Sequence, residues 1–352
     1  MNGLLGSGVL ASSWLHSYWL SQIVKLVAVL VVSPVGGLLL GYVFLLKMMA
    51  HMQSRLGPME PGGFHGWYQN IGDAIKFIQK EDLIPAKADK WVFSLAPYIV
   101  VLSTFLLFLV IPAGPDLVVS DIGVGVFYTL AVSSISVLGI LMAGWSSANK
   151  YSLIGSLRAA GQLIAYELPM VLSVVGVVMQ AGTMSLQGIV RAQQDFKIFG
   201  LDLAGMPFVI TQFVGFALFL IASQAELSQA PFDMPVAESE LVTGYMTEYS
   251  GFRFLSFFLG EVASTFALSA IAATLFLGGW YVPLPNFFDG FANLAGPVVL
   301  LVKILFVSFL IFWFRFSYPR FREDQLQAIA WKYLIPISLV NIMATAILKV
   351  VF

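Results

Sequence analysis

Residues 253–279 read RFLSFFLGEVASTFALSAIAATLFLGG. One arginine opens the run, one glutamate interrupts it, and every other residue is uncharged and mostly apolar. At ~1.5 Å of rise per residue, a helix of this length crosses a hydrocarbon core of ~30 Å. A membrane barrel would instead need short alternating strands, and this run does not alternate. Seven more stretches qualify, so the spans fall at about 20–46, 92–112, 122–146, 159–181, 202–225, 253–279, 294–316 and 332–352. The expected fold is all-α, a polytopic membrane protein with eight transmembrane helices. Residues 1–352 read as one membrane domain, without internal repeat or linker.

Composition agrees with a lipid solvent. With 59% hydrophobic and 11% charged residues, the chain has too little polar surface to cover a water-soluble globule of 352 residues. A net charge of −1 and the absence of a basic, aromatic stripe argue against nucleic acid as a partner. There is no cysteine, which removes disulfides, thiolate catalysis and cysteine-held clusters or zinc. The histidines His16, His51 and His65 are scattered and without companions at ligand spacing, so no metal site is expected. No Lys or Arg occurs in the first nineteen residues, whereas a cleavable secretory signal would require a basic n-region, so none is expected.

The basic residues sort by loop. Thirteen of them, Lys47, Arg55, Lys76, Lys80, Lys87, Lys90, Lys150, Arg158, Arg253, Arg315, Arg320, Arg322 and Lys332, flank the loops after spans one, three, five and seven. The opposite loops carry Arg191 and Lys197 alone. The positive-inside rule then makes the first set cytoplasmic and both termini extracytoplasmic. In the first cytoplasmic loop, Trp67, Ile71, Ile75 and Ile78 recur at helical spacing opposite Asp73, Lys76 and Lys80. That pattern predicts an amphipathic interfacial helix over residues 66–80.

Ionisable groups within lipid are costly, by roughly 2.5–3.5 kcal/mol each, and usually serve a function. Glu167 and Glu261 each lie eight residues inside a span from its cytoplasmic edge, about 12 Å deep at helical rise. Pro169 opens the backbone ladder beside Glu167. Lys303 in span seven is a candidate counter-ion at the Glu261 level. The loop between spans five and six holds five carboxylates, Glu226, Asp233, Glu238, Glu240 and Glu248, with no Lys or Arg among them. Crowded like charges raise one another's pKa, so this loop is expected to hold and exchange protons. These features describe a proton-handling membrane protein. A cation/proton antiporter or a passive scaffold stays open, although the paired halves of an antiporter are not visible.

Several segments, in one order from about Lys47 to Asn341, resemble the quinone-site membrane subunit of the complex I family, known as subunit 1 in mitochondria. They include Gln53-Ser-Arg55-Leu-Gly57-Pro58, Asp73-Ala-Ile-Lys76, Lys80-Glu81-Asp82, Asn149-Lys150-Tyr151, Gln162 through Tyr166-Glu167, Ala230-Pro231-Phe232-Asp233, Glu238-Ser-Glu240-Leu241, Thr247-Glu248-Tyr249-Ser250-Gly251 and Asp324-Gln325-Leu326. The resemblance implies a membrane subunit of a proton-translocating NADH:quinone oxidoreductase in a bacterial plasma membrane. Such a subunit walls a quinone chamber closed by soluble Fe-S subunits, and contacts other membrane-arm subunits. Quinone would be the substrate, with no flavin, Fe-S cluster or metal on this chain. Quinone contacts are then expected at Gln53, Arg55, Asp73, Lys76 and Arg315. Proton transfer is expected at Glu167, Glu226, Asp233, Glu238, Glu240, Glu248, Glu261 and Lys303.

The sequence also departs from the family. Leu45-Leu46-Lys47 stands where Glu-Arg-Lys is usual, Gln229 replaces an Arg and Val236 a Glu. Related subunits of membrane-bound hydrogenases or ferredoxin-dependent complexes, or a catalytically silent anchor, are the alternatives at this point.

Overall fold

The chain is described from a computed structural model. Residues 4–194, 205–282 and 292–351 are described; the side chains of 4–19, 21, 22, 64, 238, 292–294 and 351 lie outside the description. The first helix, α1 (Leu4–Leu40), continues through a π-helical stretch, Gly41–Met48, into Met49–Met52. An amphipathic helix, α2 (Gln69–Gln79), follows in the first loop, and α3 (Lys90–Leu107), α4 (Gly125–Ser146) and α5 (Lys150–Ala181) form a run of spans. After them come α6 (Leu186–Gln194), α7 (Phe213–Glu226), α8 (Gly251–Phe276) and α9 (Ala292–Ser317). The last element, α10, runs from Glu323–Ile329 through a second π-helical turn, Ala330–Leu334, to Ile335–Val351.

Among the described residues no strand occurs, and seven helices are long and apolar enough to cross a membrane. The all-α polytopic membrane fold expected from hydropathy is therefore observed. The fifth span is a correction. Instead of a helix over 202–225, α7 begins only at Phe213, and residues 202–204 lie outside the described residues. Ahead of it the chain still turns helically, since Gln212 N–H donates to Phe208 O and Phe216 N–H to Gln212 O. The reason for the irregular start is polar: Gln212 is buried, donating to Thr345 Oγ1 at 2.8 Å and accepting from Asn341 Nδ2 at 3.1 Å, which ties this end to α10.

The start of α5 moves for a simple reason. Hydropathy marks where lipid ends, whereas capping marks where a helix ends. Thus α5 starts at Lys150, well before residue 159, because the side chain of Asn149 accepts from Tyr151 N–H, and it stops at Gly182 in a left-handed conformation. It also runs without a break through Pro169. The missing N–H there removes one bond and does not open the helix.

Helix α8 is the hub. Every residue from Thr265 to Phe276 is buried, and α1, α3 and α9 pack around it. An added Cβ at Gly36 of α1 would sit 2.8 Å from the ring of Phe266, so this glycine permits the close approach of α1 to α8. The interfacial helix α2 has no buried residue; Ile71, Ile75 and Ile78 stay exposed along one side, as expected for a face turned to the headgroup region. It is anchored by Asn70 Nδ2 donating to Leu38 O, and by stacking of Phe77 on Phe254 and of the preceding Trp67 on Tyr42.

The loops gather at two ends, as alternating spans require. At one end Asp89 N–H donates to Ser146 O, Arg253 pairs with Asp82, and Arg158 pairs with Glu240 and Glu323. At the other, Lys25 donates to Val119 O, Ser185 Oγ to Asp121, and Lys349 to Met179 O.

Candidate functional site

A polar seam enters the apolar interior from the end that carries the acidic loop. Its first part lies between α5 and the end of α7. Gln162, five residues before Glu167 on α5, is buried and donates through Nε2 to Ala225 O and Phe232 O, both at 2.8 Å. Gln224 Nε2 donates to Ala230 O at 2.7 Å. Glu226 ends α7 with Oε2 sealed from solvent and lacking a hydrogen-bond partner, within electrostatic reach of the half-buried Glu167. Among the described residues six buried side-chain polar atoms lack partners, and five belong to Gln162, Ser223, Gln224, Glu226 and Gln229. Buried polar atoms normally find a partner, in protein or in ordered water, so such a concentration departs from ordinary interior packing.

The second part reaches α8 and α9. Gln229 Nε2 donates to Thr265 Oγ1 at 3.0 Å, and Thr265 Oγ1 donates to the backbone oxygen of Glu261, also at 3.0 Å. The carboxylate of Glu261 pairs with Arg315 of α9 at 3.1 Å, each side chain about a quarter exposed. The buried Tyr245 lies close enough for its phenol to feel the charges of Glu261 and Asp233. Burial first, and those two carboxylates second, push that phenol above its ordinary range, so it remains a protonated donor. Two glycines allow the approach: Gly244 has φ +57, and a Cβ on Gly155 of α5 would meet Gly244 Cα at 2.8 Å.

Several expected partners change. Lys303 does not serve as the counter-ion of Glu261. Its ammonium turns to the opposite end of α8, donating to Leu277 O at 2.6 Å, Gly279 O at 2.8 Å and Tyr281 O at 2.5 Å. There it satisfies carbonyls of the cap and of the turn just past the helix, and complements the negative end of the helix dipole. Arg315, expected at the quinone, occupies the counter-ion position instead.

The acidic loop is also less crowded than its sequence suggests. Glu240 accepts from Arg158 at 2.6 Å and meets Arg320 at 3.5 Å, so its carboxyl is held below the usual range, chiefly by the Arg158 hydrogen bond. Glu248 accepts from Asn149 Nδ2 at 2.6 Å. Asp233 is half-buried, and the side chain of Glu238 lies outside the described residues. At Glu240 mutual repulsion therefore does not dominate, because arginines remote in sequence arrive from α5 and from the loop after α9.

The other expected quinone contacts form local pairs near α2. Arg55 Nε donates to Gln53 Oε1 at 2.8 Å, and Lys76 lies 3.5 Å from Asp73, which also accepts from Gln69. They flank the π-helical stretch Gly41–Met48, which contains Leu45, Leu46 and Lys47; π-helical turns recur at functional sites. Lys47 donates to Pro58 O, tying this stretch to the Gln53–Pro58 turn.

With this geometry in place, comparison with known proteins decides the family. A family model described as NADH dehydrogenase matches residues 24–346. A Bacillus mycoides (strain KBAB4) protein named as a subunit of NADH-quinone oxidoreductase is 47% identical over 87% of both chains. Proteins of the same name from Bacillus thuringiensis subsp. konkukian (strain 97-27) and Bacillus cereus (strain AH187) are 46% identical over the same shares. The chain belongs to the NADH dehydrogenase family of membrane subunits.

Within that family setting, sequence reading had missed Tyr245, Thr265, Arg158 and Arg320 as parts of the site. Gln162 could have been found by the rule applied to Glu167, since it too is a polar side chain inside a span. The pairing of Glu261 with Arg315 could not, because 54 residues separate the partners. Gln229, in the position where the family usually has Arg, is accommodated as a neutral donor to Thr265.

Proposed function

We propose that this chain is the membrane subunit of a proton-translocating NADH:quinone oxidoreductase that walls the quinone chamber and couples quinone reduction to proton movement. The observation that carries the reading is the polar seam from Gln162, Glu167 and Glu226 through Gln229 and Thr265 to Glu261 and Arg315, set in a family fold otherwise solvated by lipid. Glu167 and Glu226 lie within electrostatic reach of each other, as two members of one proton path would. The buried Tyr245 phenol lies within electrostatic reach of Glu261 and Asp233. Gln53, Arg55, Asp73 and Lys76 would line the chamber beside α2, and Arg315 would hold Glu261 in place, a contact that quinone chemistry nearby can disturb.

In this reading the whole chain is one membrane domain of a bacterial plasma membrane, with both termini extracytoplasmic and the acidic loop facing soluble Fe-S partners. Quinone is its substrate, and the redox groups reside on other subunits. Glu226, whose Oε2 is sealed and without a hydrogen-bond partner, offers the direct test. Glutamine keeps its size and hydrogen-bonding capacity but cannot titrate. In vesicles holding the assembled complex, Glu226→Gln lowers protons moved per quinone reduced. An unchanged ratio would leave Glu226 as a packing residue and remove the seam from the coupling path.

A further inference from the structure

One cavity belongs to no part of this seam. It has a volume of about 490 Å³ and lies between α1, the segment after α3, α8 and α9, walled by Val29, Phe108, Phe266, Ala270, Leu300 and Ile304. An apolar cavity of ~150 Å³ already stays dry and accepts a benzene-sized guest, and this one is roughly three times larger. Water is therefore a poor occupant, and apolar matter is the good one.

Its surroundings say which. The cavity borders the outward face of α1, where Val24, Leu26, Val27, Leu30 and Val31 are all about half exposed, as lipid-facing residues of a membrane span are. At its polar end stand Lys25 and Asp116. Lys25 is the one charged residue between Ile23 and Leu46 of the first span, and its ammonium donates to Val119 O at 3.2 Å, which directs it to the mouth of the cavity. An ammonium carries three donors, so this bond leaves capacity for an anion. A greasy slot open to the bilayer, with Lys25 and Asp116 at its polar end, has the shape and polarity of one amphiphile.

We propose that this cavity is a phospholipid-binding site: one acyl chain fills the slot between α1, α8 and α9, and the lipid phosphate accepts from Lys25. The bound lipid would complete the packing of α1 against α8 on the side away from α2. This assignment is independent of the quinone and proton reading, because none of its residues belongs to the seam.

The test uses the assembled complex in nanodiscs made with a phospholipid that carries a photoactivatable acyl chain. Crosslinks are expected on peptides from residues 24–32 and 297–304. Ala28→Trp, at an exposed position lining the slot, should abolish them by filling it. Lys25→Ala should lower retention of phosphatidylglycerol, read by native mass spectrometry, about fivefold, the effect of one lysine at an anionic lipid surface. Quinone-reductase turnover reports that both variants remain assembled. Equal labelling of the native protein and Ala28→Trp would overturn the site. So would a crosslink from Ala28→Cys to a helix of another subunit, or labelling by a photoreactive quinone in place of the lipid.

Discussion

The pairing of Glu261 with Arg315 can be separated into a structural and a functional part by a double-mutant cycle. Two unit charges ~4 Å apart attract by about 4 kcal/mol at an effective dielectric of 20. Desolvation of both groups offsets much of this. The side chains are 26% and 23% exposed, between a buried and a surface pair. Removing one partner from a buried pair costs ~3–5 kcal/mol, whereas exposed pairs are worth ~0–1 kcal/mol. Arg315→Met alone should therefore destabilise the protein by about 2 kcal/mol, mainly by leaving a carboxylate without its cation. Adding Glu261→Gln removes that uncompensated charge and should recover about half of the loss or more. Stability is read from the midpoint of a sodium dodecyl sulfate titration of the purified protein, and coupling from protons moved per quinone reduced in vesicles. The double variant should regain stability yet fail to couple. If it is no more stable than Arg315→Met, the pair is not the interaction that holds α8 to α9. If it couples normally, Glu261 carries no protons.

Three other outcomes follow from the rearranged contacts. Lys303→Met strips three carbonyls of their donor and should cost up to roughly 3 kcal/mol in the same titration, with the proton-to-quinone ratio unaltered; a lowered ratio would mean that Lys303 moves protons after all. Glu240 has its folded pKa depressed by Arg158, so its contribution is present above the ordinary carboxylate value and is lost as pH falls through the folded one. Solvent screening at this exposed pair limits it to about 0.5 kcal/mol. Proteolysis of the loop from Glu226 to Ser250 should rise on acidification more in the native protein than in Glu240→Gln, and parallel curves would sink the assignment. Arg55→Ala should raise the KM for quinone about tenfold, the effect of one charge-assisted hydrogen bond, in a complex that still assembles; an unchanged KM would place Arg55 away from the chamber.

Hydropathy along the chain was enough to determine the class of fold, most of the spans, the interfacial helix and the identity of the few ionisable residues placed in lipid. Each of these depends on solvation residue by residue, and the cost of exposing a peptide group or a charge to hydrocarbon does not depend on which helix is next to it. Ordered motifs such as Ala230-Pro231-Phe232-Asp233 carried the family in the same local way. The partners of the charges were decided only by packing. Arg315 and Lys303 lie twelve residues apart on one helix, and a sequence reader has equal reason to pair either with Glu261. Their placement along α9 sends Arg315 to that carboxylate and Lys303 to the carbonyls at the far end of α8. Likewise, the loop from Glu226 to Ser250 contains no cation of its own, so only the arrival of Arg158 and Arg320 turns Glu240 from a crowded acid into an ion-paired one. Electrostatic energy falls with distance in space, and distance along the chain carries no information about it once helices have packed.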